Sequence, residues 1–465
     1  MATAIAERLP AEPRTGGGPR SGAARSGAAE TFLADYASFE RRLGSQPESV
    51  AVMRRAGREH FADVGFPSTR QEEWRRTNVA PISRTRFRYP AADPDALPRE
   101  RLEPFQLADC AELVFVNGRF APGLSHRPEL PEGVFAGSLA TALTEHPELV
   151  VPYLGRYADL EHPFVALNTA HLGDGLFVYV PRGVVVEKTL HAIFFGTGED
   201  GEATVSYPRN LVVAGESSQL TVIESYGGLP GERYFTCPVT EIVGEANSVV
   251  DHYRLGQESL DAFHVATQKI HLERDANLFT HSINHGGALV RNDIQAYLDG
   301  EGISCTMNGL YLARGRQHVD HQMLVDHAKP HCHSYELFKG ILEDRARAVF
   351  NGRIRVHQDA QKTDGVQSNR NLLLSKEALV HSNPQLEIFA DDVRCTHGST
   401  TGHLDDEAVF YLRSRGIGEA AAKSLLTYAF AGEVLEEIRL EAVRKDLEEF
   451  LFTRLPKGEV VRQAV

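Results

Sequence analysis

The pattern of hydrophobic and polar positions changes twice along the chain. Between residues 113 and 403, short runs rich in Val, Ile, Thr, Phe and Tyr alternate apolar with polar positions, and acidic or glycine-containing turns separate them. Such runs are typical of β-strands, whose successive side chains point to opposite faces of a sheet. Helical periodicity is not seen between them. The pattern therefore predicts a mainly β central domain over residues 113–403.

One unit recurs along this central part. An apolar pair is followed by a polar turn, a small residue and another alternating run, as in "EIVGEANSVVDHY" and "IHLERDANLFTHS". Aligning these units makes the following small positions equivalent, at irregular intervals: Ala246, Ala276, Gly302, Ala346, Ala378 and Val393. Repeated strand–turn–strand units without helices predict the stacked coils of a β-solenoid. A β-sandwich or a pair of jelly rolls fits the same pattern and remains open.

Both ends of the chain show helical spacing instead. Residues 30–112 and 404–465 carry apolar residues at intervals of three and four, which predicts an α-helical domain on each side of the β domain. Trp74, the only tryptophan, is interpreted as a packing anchor. Near the C-terminus, Gly416 is predicted to end one helix, and two amphipathic helices are predicted to join near Gly432.

The first 29 residues are rich in Gly, Ala, Pro and Arg, which predicts a disordered tail. An organelle transit peptide is the alternative, but such peptides contain few acidic residues, and Glu7 and Glu12 speak against one.

Composition narrows the class of protein. The formal net charge of −14 argues against a surface for nucleic acid or for an anionic membrane. No stretch approaches the roughly 18 apolar residues of a membrane span. The five cysteines are scattered, odd in number and without CxxC spacing, so a disulfide framework is not expected. A reducing cytoplasm fits this cysteine usage best.

The densest group of metal-ligating residue types lies in "HVDHQMLVDHAKPHCH". This segment contains His318, His321, His327, His331, Cys332 and His333. Imidazole and thiolate bind zinc and iron, but the spacing matches no standard zinc pattern. Histidines satisfied in the core or exposed at the surface explain the segment equally, so both interpretations stay open.

A second candidate is the pair Cys395 and His397 in "ADDVRCTHGSTTG". On a strand, these two side chains share one face, where they can bind a soft metal, share a proton or simply pack. The setting is polar for a packed thiol, and we expect Arg394 or a protonated His397 to lower the pKa of the Cys395 thiol. The residues alone leave a functional and a packing role open.

Standard catalytic motifs are missing from the sequence, which contains no GxSxG, no P-loop and no HExxH. Because β-solenoids also carry sugar-cleaving enzymes, a secreted-type polysaccharide-active enzyme is the alternative function. Such an enzyme requires a pair of positioned carboxylates, which a sequence does not reveal.

Three segments resemble the SufB/SufD family of the Suf iron–sulfur cluster assembly machinery, and they are closer to its SufD branch. They are "PSTRQEEWRRTN", "RARAVFNGRIRVHQDAQKTDGVQSNRNLLLS" and "NPQLEIFADDVRCTHGSTTGHLDDEAVFYLRSRGI". The resemblance implies a right-handed parallel β-helix flanked by helical domains. It also implies a non-catalytic scaffold subunit that pairs with a SufB-like paralogue and binds a SufC-like ATPase. In isolation, a homodimer is expected.

The resemblance also assigns roles to residues. It implies that His397, accompanied by Cys395, helps to hold iron of a nascent, transient iron–sulfur cluster that is shared with the SufB-like partner. The sulfur-accepting cysteine is expected in that partner. The ATPase is expected to bind residues 405–455, and the candidate contacts are Tyr411, Arg413, Arg415 and Phe430. Whether a flavin takes part is not decided by the resemblance.

Overall fold

The structure, a computed structural model, describes residues 23–34, 36–44, 46–126 and 129–464. Most of the predicted tail, residues 1–22, lies outside the described residues. Its last part is not a tail, because residues 23–29 belong to the first helix, where Ala29 is buried. The N-terminal helices are α1 (Ala23–Leu33), α2 (Tyr36–Arg42), α3 (Glu48–Val64) and α4 (Ala80–Arg84). Four 3-10 turns follow or intervene: Glu72–Trp74, Pro94–Ala96, Arg99–Arg101 and Glu103–Phe105.

The central part is a parallel β-solenoid of about 7 turns, as the recurrent strand–turn units predict. Its strands form two sheets, and from residue 239 onward the chain alternates between them, one strand in each per turn. The ten strands of sheet I are β1 (Cys110–Val116), β2 (Arg119–Phe120), β5 (Thr189–Phe195), β8 (Gln219–Gly227), β11 (Val249–Gln257), β13 (Asn277–Asn284), β15 (Ser304–Ala313), β17 (His333–Leu342), β19 (Asp364–Leu373) and β21 (Arg394–Gly402).

Sheet II has eleven strands, and its order runs from β3 at one edge to β20 at the other. They are β3 (Phe135–Ser138), β4 (Leu176–Val180), β6 (Thr204–Ser206), β7 (Arg209–Ala214), β9 (Tyr234–Thr236), β10 (Val239–Gly244), β12 (Phe263–Leu272), β14 (Leu289–Leu298), β16 (His318–His327), β18 (Arg347–Val356) and β20 (Leu379–Ile388). Among these described strands, only β1 with β2 and β3 with β4 pair antiparallel.

The small residues that the sequence pattern treated as equivalent belong to two different turns of each coil. Ala276 precedes a strand of sheet I. Backbone hydrogen bonds place Ile303 and Cys332 at the equivalent position of the next two coils. Ala346 and Ala378 precede strands of sheet II instead. The alignment was wrong because both turns combine a polar corner with a small or apolar inward residue. Once the two turns are separated, stacked residues from residue 239 onward lie 26 to 32 positions apart, and Asn292 and His321, for example, are 29 apart.

Three short helices interrupt the predicted run of strands. They are α5 (Leu139–Glu145), α6 (Pro147–Val150) and α7 (Pro163–Ala170), and they lie between β3 and β4. Helix α7 is apolar on nearly all sides and is buried between α3 and sheet II. Because an all-round apolar segment of eight residues shows no two-fold or helical alternation, its type could not be predicted from the pattern.

The apolar side chains lie in layers. One cluster fills the space between the two sheets, with members such as Val178, Leu278 and Phe338. The N-terminal helices cover the outer face of sheet II. The C-terminal helices are α8 (Asp406–Ser414), α9 (Glu419–Glu436), α10 (Glu441–Arg454) and α11 (Gly458–Ala464), of which α9 and α10 cover the outer face of sheet I.

The predicted helix end at Gly416 is confirmed, since α8 stops at Ser414 and Gly416 has a φ of 87°. The predicted break near Gly432 is wrong, because α9 continues through it to Glu436. The chain leaves the helix at residues 437–440, where the Leu440 N–H contacts the Tyr253 hydroxyl of the solenoid at 3.2 Å. A tertiary contact therefore sets the break. Within the described residues, no helix is long and apolar enough to cross a membrane.

Trp74 anchors the N-terminal region on the solenoid, as interpreted from the sequence. Its ring is buried, and the Arg291 guanidinium of β14 lies 3.6 Å from the ring centroid. The same guanidinium donates to both carboxylate oxygens of Asp293, to Asp320 at 2.8 Å and to the carbonyl of Glu73 at 2.8 Å. Buried charges need such complete pairing, so this cluster joins the two domains rigidly.

We expect the substitution Arg291→Ala to lower the free energy of unfolding by about 3–5 kcal/mol, because it leaves two buried carboxylates without their cation. Urea denaturation followed by circular dichroism measures the change. The matched control is Arg353→Ala on β18, where a partly exposed arginine lies 3.5 Å from Glu387. That pair should contribute at most about 1 kcal/mol. Equal losses in the two variants would contradict the anchoring role of Arg291.

Candidate functional site

The last turn of the solenoid leaves two strands with one free edge each. Among the described strands, β21 pairs only with β19, and β20 pairs only with β18. Most side chains of β21 are exposed, whereas the earlier strands of sheet I are largely buried. An unpaired strand presents a row of free backbone donors and acceptors, so this end of the solenoid is suited to pairing with another chain.

Cys395 and His397 lie on β21 and share its inner face. Cys395 is in register with Gly365 and Ser334 of the two preceding coils of sheet I, and these continue an inward column that begins with apolar residues such as Leu278. Toward the open end, the column thus changes from large apolar residues to small polar ones. The Cys395 side chain at the end of this column is half-buried.

The neighbouring inward column ends at His397. It runs from Met307 through Glu336 and Gln367 to His397, one residue per coil. Glu336 and Gln367 are buried, while His397 is exposed at the end of the stack. The imidazole is therefore accessible from outside, and two buried polar side chains, Gln367 and Glu336, lie behind it.

The environment of Cys395 differs from the prediction. Its side chain packs at the edge of an apolar cluster formed by Ile354, Val356, Ala360 and Ala390. Burial raises the pKa of the Cys395 thiol and Asp364 raises it further, although the Gly365 backbone N–H partly opposes this. The expected lowering by Arg394 is wrong, because alternation along the strand turns Arg394 to the opposite face.

Hydrogen bonds tie the two last strands together across the interior. The Ser399 hydroxyl donates to the Ser382 hydroxyl at 2.8 Å, and Ser382 donates to the Asn369 side-chain oxygen at 2.8 Å. Asn369 in turn contacts Asn371 and the Tyr311 hydroxyl. This polar network holds β21 opposite β20 and so fixes the backbone that carries Cys395 and His397.

The donor set at this end is incomplete by itself. Thiolate sulfur and imidazole nitrogen are ligands that iron and zinc accept. Across the part of the chain that the structure describes, no group of three or more His, Cys, Asp or Glu side chains is arranged to hold a metal ion. Cys395 and His397 therefore place two donor side chains at an open edge, and a metal ion bound there would need further ligands.

The histidine-rich segment does not form one site. His321 faces the interior beside Asn292, at 3.2 Å, and burial lowers its pKa to about 3. His327 contacts Ser334 at 2.9 Å, and burial lowers its pKa to about 4. His318 contacts the Thr77 hydroxyl at 2.8 Å on the outer face.

The remaining members of that segment lie in or next to a turn. His331 has a φ of 61°, Cys332 is buried, and His333 is exposed at the start of β17. The alternation of strand faces thus separates residues that are close in sequence, and the metal interpretation of the segment is not supported.

The four residues predicted to contact an ATPase divide into two groups. Tyr411, Arg413 and Arg415 are exposed on or just after α8, with the Arg415 guanidinium 5.1 Å from the Tyr411 ring centroid. Phe430 is half-buried against sheet I, where the Lys339 ammonium lies 4.6 Å from its ring centroid. The ring of Phe430 therefore packs within the chain.

Sequence reasoning missed one exposed aromatic residue. Phe410 is 72% exposed and Tyr411 is 56% exposed, and both line an open groove between α8 and α9 with Leu426. Two adjacent aromatic residues on a nine-residue helix with acidic and basic ends were the available signal. Adjacent residues point about 100° apart around a helix axis, so on a helix with only one face against the protein one of the two is directed toward solvent.

Comparison with known proteins gives consistent matches. Residues 194–430 match the family model described as "SUF system FeS cluster assembly, SufBD core domain", and residues 28–192 match "SufBD protein N-terminal region". An iron–sulfur cluster assembly SufBD family protein of Synechocystis is 34% identical over 418 residues, which are 88% of this chain and 92% of that protein. The iron–sulfur cluster assembly protein SufD of Escherichia coli is 34% identical over 397 residues, covering 85% and 90%.

A more distant relative agrees. The iron–sulfur cluster assembly protein SufD of Bacillus subtilis is 28% identical over 418 residues, which are 86% of this chain and 93% of that protein. These matches extend over both the helical and the solenoid regions, and they favour cluster assembly over the polysaccharide-active alternative. The chain belongs to the SufBD family of iron–sulfur cluster assembly proteins.

Proposed function

We propose that this chain is a non-catalytic scaffold subunit that shares a nascent iron–sulfur cluster with a SufB-like paralogue at the open end of its solenoid. The observation that carries the proposal is the position of Cys395 and His397 on β21, a strand with one unpaired edge. Two soft donors at a free edge form half of a ligand set, and a partner strand brings the other half. His397 is the iron ligand, and Cys395 supports it.

The two edge strands are not equally suited to pairing. Strand β20 contains Pro384, which lacks a backbone N–H and disfavours addition of a further strand. Strand β21 contains no proline. Ile388 and Phe389, at the end of β20, are 39% and 64% exposed and add an apolar rim. The partner therefore pairs along β21 and buries this rim.

The same edge explains the expected homodimer, because a second copy offers an identical free strand when the paralogue is missing.

A free thiol and a metal site shared between two subunits require a reducing environment. All five cysteines are free, and three of them are buried. We therefore propose that the chain acts in the cytoplasm.

A second surface is proposed to bind a SufC-like ATPase. It is formed by Phe410, Tyr411, Arg413 and Arg415 at α8, on a helix of which Val409 is the buried residue. Exposed aromatic and arginine side chains that lie together are typical of binding surfaces. Phe430 is left out of this surface because its ring packs on the solenoid. The ATPase activity of the assembly resides in the partner.

For the cluster site, we expect His397→Ala to leave folding almost unchanged, within about 0.5 kcal/mol, because the side chain is exposed. Cluster content of the complex co-expressed with the presumed partners should fall severely, since an iron ligand is lost. Cys395→Ser should be milder because sulfur acceptance belongs to the partner. Absorbance spectra and iron analysis after anaerobic purification measure the cluster.

The matched control is His333→Ala, which removes an exposed imidazole from another coil of the same sheet. It should leave the cluster content unchanged. A normal cluster content in the intact complex with His397→Ala would show that Cys395 and His397 only pack, and the proposed site would be abandoned.

For the ATPase surface, we expect Phe410→Ala to weaken binding of the ATPase by about 2 kcal/mol, roughly thirtyfold, as for a central aromatic contact. Isothermal titration calorimetry measures the affinity. Removal of all residues after Gly416 is a poorer test, because α9 and α10 cover the apolar outer face of sheet I.

Lys445→Ala on α10 is the control for Phe410→Ala. Lys445 is exposed and pairs only locally with Glu441. It should leave the affinity unchanged. Full ATPase binding by the Phe410→Ala variant would exclude α8 as the docking helix.

A further inference from the structure

A carboxyl group is enclosed in the interior of the solenoid near its open end. The Glu336 side chain is fully buried on β17. One carboxyl oxygen accepts a hydrogen bond from the Gln367 amide at 3.0 Å. Among the described residues, its other oxygen has no hydrogen-bond partner, and neither has the amide oxygen of Gln367. Burial raises the pKa of Glu336 to about 8, and the hydrogen bond from Gln367 opposes this.

The polar groups around Glu336 do not provide a compensating cation. The electrostatic neighbour on β15 is Cys305, whose thiol burial keeps neutral by raising its pKa. His327 on β16 contacts Ser334, two positions before Glu336, and burial lowers the pKa of His327 to about 4, so this imidazole is uncharged as well. Gln367 on β19 carries no charge. The carboxyl is therefore protonated near neutral pH unless a positive charge arrives.

The register connects Glu336 to the proposed site. Glu336, Gln367 and His397 occupy successive rungs of one inward column. Neighbouring strands lie about 4.8 Å apart, so the carboxyl is about 10 Å from the rung of His397. Glycine at position 352 of β18 leaves space for the Gln367 side chain, because a Cβ at this position would overlap the Gln367 amide.

We propose that Glu336 is an internal counter-charge for a cation held at the His397 end of the solenoid. When a divalent cation such as ferrous iron binds there, the O–H bond of Glu336 breaks, the proton leaves to solvent, and the carboxylate remains. No electron is transferred in this step. The inference rests on the proposed function of Cys395 and His397. Glu336 acts as a positioning residue, since it touches neither the iron nor its ligands.

The interaction is strong enough to release the proton. At about 10 Å and an effective dielectric constant of about 20, a net charge of one to two units favours the carboxylate by between about tenfold and several hundredfold. A buried acid that is neutral at rest becomes largely ionised once the cation is bound. Iron binding then becomes tighter as the pH rises toward 8.

The first test needs no iron and compares the wild-type chain with Glu336→Gln, which mimics the protonated acid. The pKa of Glu336 is higher in the folded chain than its ordinary value of 4.5. The stability that protonated Glu336 contributes is thus fully present below pH 4.5 and is lost as the pH rises to about 8. Between pH 4.5 and about 8, we expect the free energy of unfolding of the wild type to fall more steeply than that of Glu336→Gln. The difference in slope should be up to about 1.4 kcal/mol per pH unit.

The second test measures proton release when ferrous iron is added anaerobically to the complex of the full chain with its partners, in weak buffer at about pH 7.5. We expect wild type to release about half to three-quarters of a proton more per bound iron than Glu336→Gln. Gly352→Ala displaces the Gln367 amide without removing a titratable group. Because the carboxylate then loses its hydrogen bond, this variant should release its extra proton at a higher pH than the wild type does.

The controls separate this inference from the proposed function. Cys395→Ser removes the proton that the thiol itself releases, and the difference between Glu336 and Gln should persist in that background. His397→Ala should abolish binding of the iron that is held at the open end of the solenoid. Iron binding that is unchanged by His397→Ala would overturn the proposed site. If iron binding depends on His397 but wild type and Glu336→Gln release equal numbers of protons, only the role of Glu336 is overturned. The same conclusion holds if wild type and Glu336→Gln show identical pH profiles of unfolding.

Discussion

Parallel backbone pairing between successive coils is the interaction on which the rest of this structure depends. Each strand from β10 to β19 is paired on both sides in one of the two sheets, so its peptide groups are satisfied by the coils before and after it. The last coil has a neighbour on one side only. In this structure the last strand of sheet I, β21, has one free edge and carries a thiol and an imidazole.

The same pairing arranges side chains in columns, one residue per coil, and these columns link distant parts of the interior. Apolar residues fill several of these columns, which stabilises the stack by about 1.5–3 kcal/mol for each large side chain that is fully buried. The column that ends at His397 instead holds buried polar residues along much of its length, namely His252, Thr280, Glu336 and Gln367. Burying such groups costs free energy, and for Glu336 the hydrogen bond from Gln367 offsets part of that cost.

Several features of the site were predictable because they depend on neighbours in sequence. Cys395 and His397 share a face since strand alternation has a period of two. Other features depend on residues that are far apart. The raised pKa of the Cys395 thiol reflects its burial and Asp364, thirty-one positions earlier on the neighbouring strand. The packing of Phe430 on Lys339 and the helix break near Tyr253 likewise arise from contacts between the C-terminal helices and sheet I.

The sequence alone determined the order of helical and β regions, the solenoid class and the family, because periodicity and long motifs are local properties of the chain. The tertiary structure decided the register between coils, and with it everything that register controls. Alternation scattered the histidine-rich segment over opposite faces, and stacking placed Glu336 behind His397. Pairing between strands about 30 residues apart cannot be read from local spacing, since loop lengths differ from coil to coil.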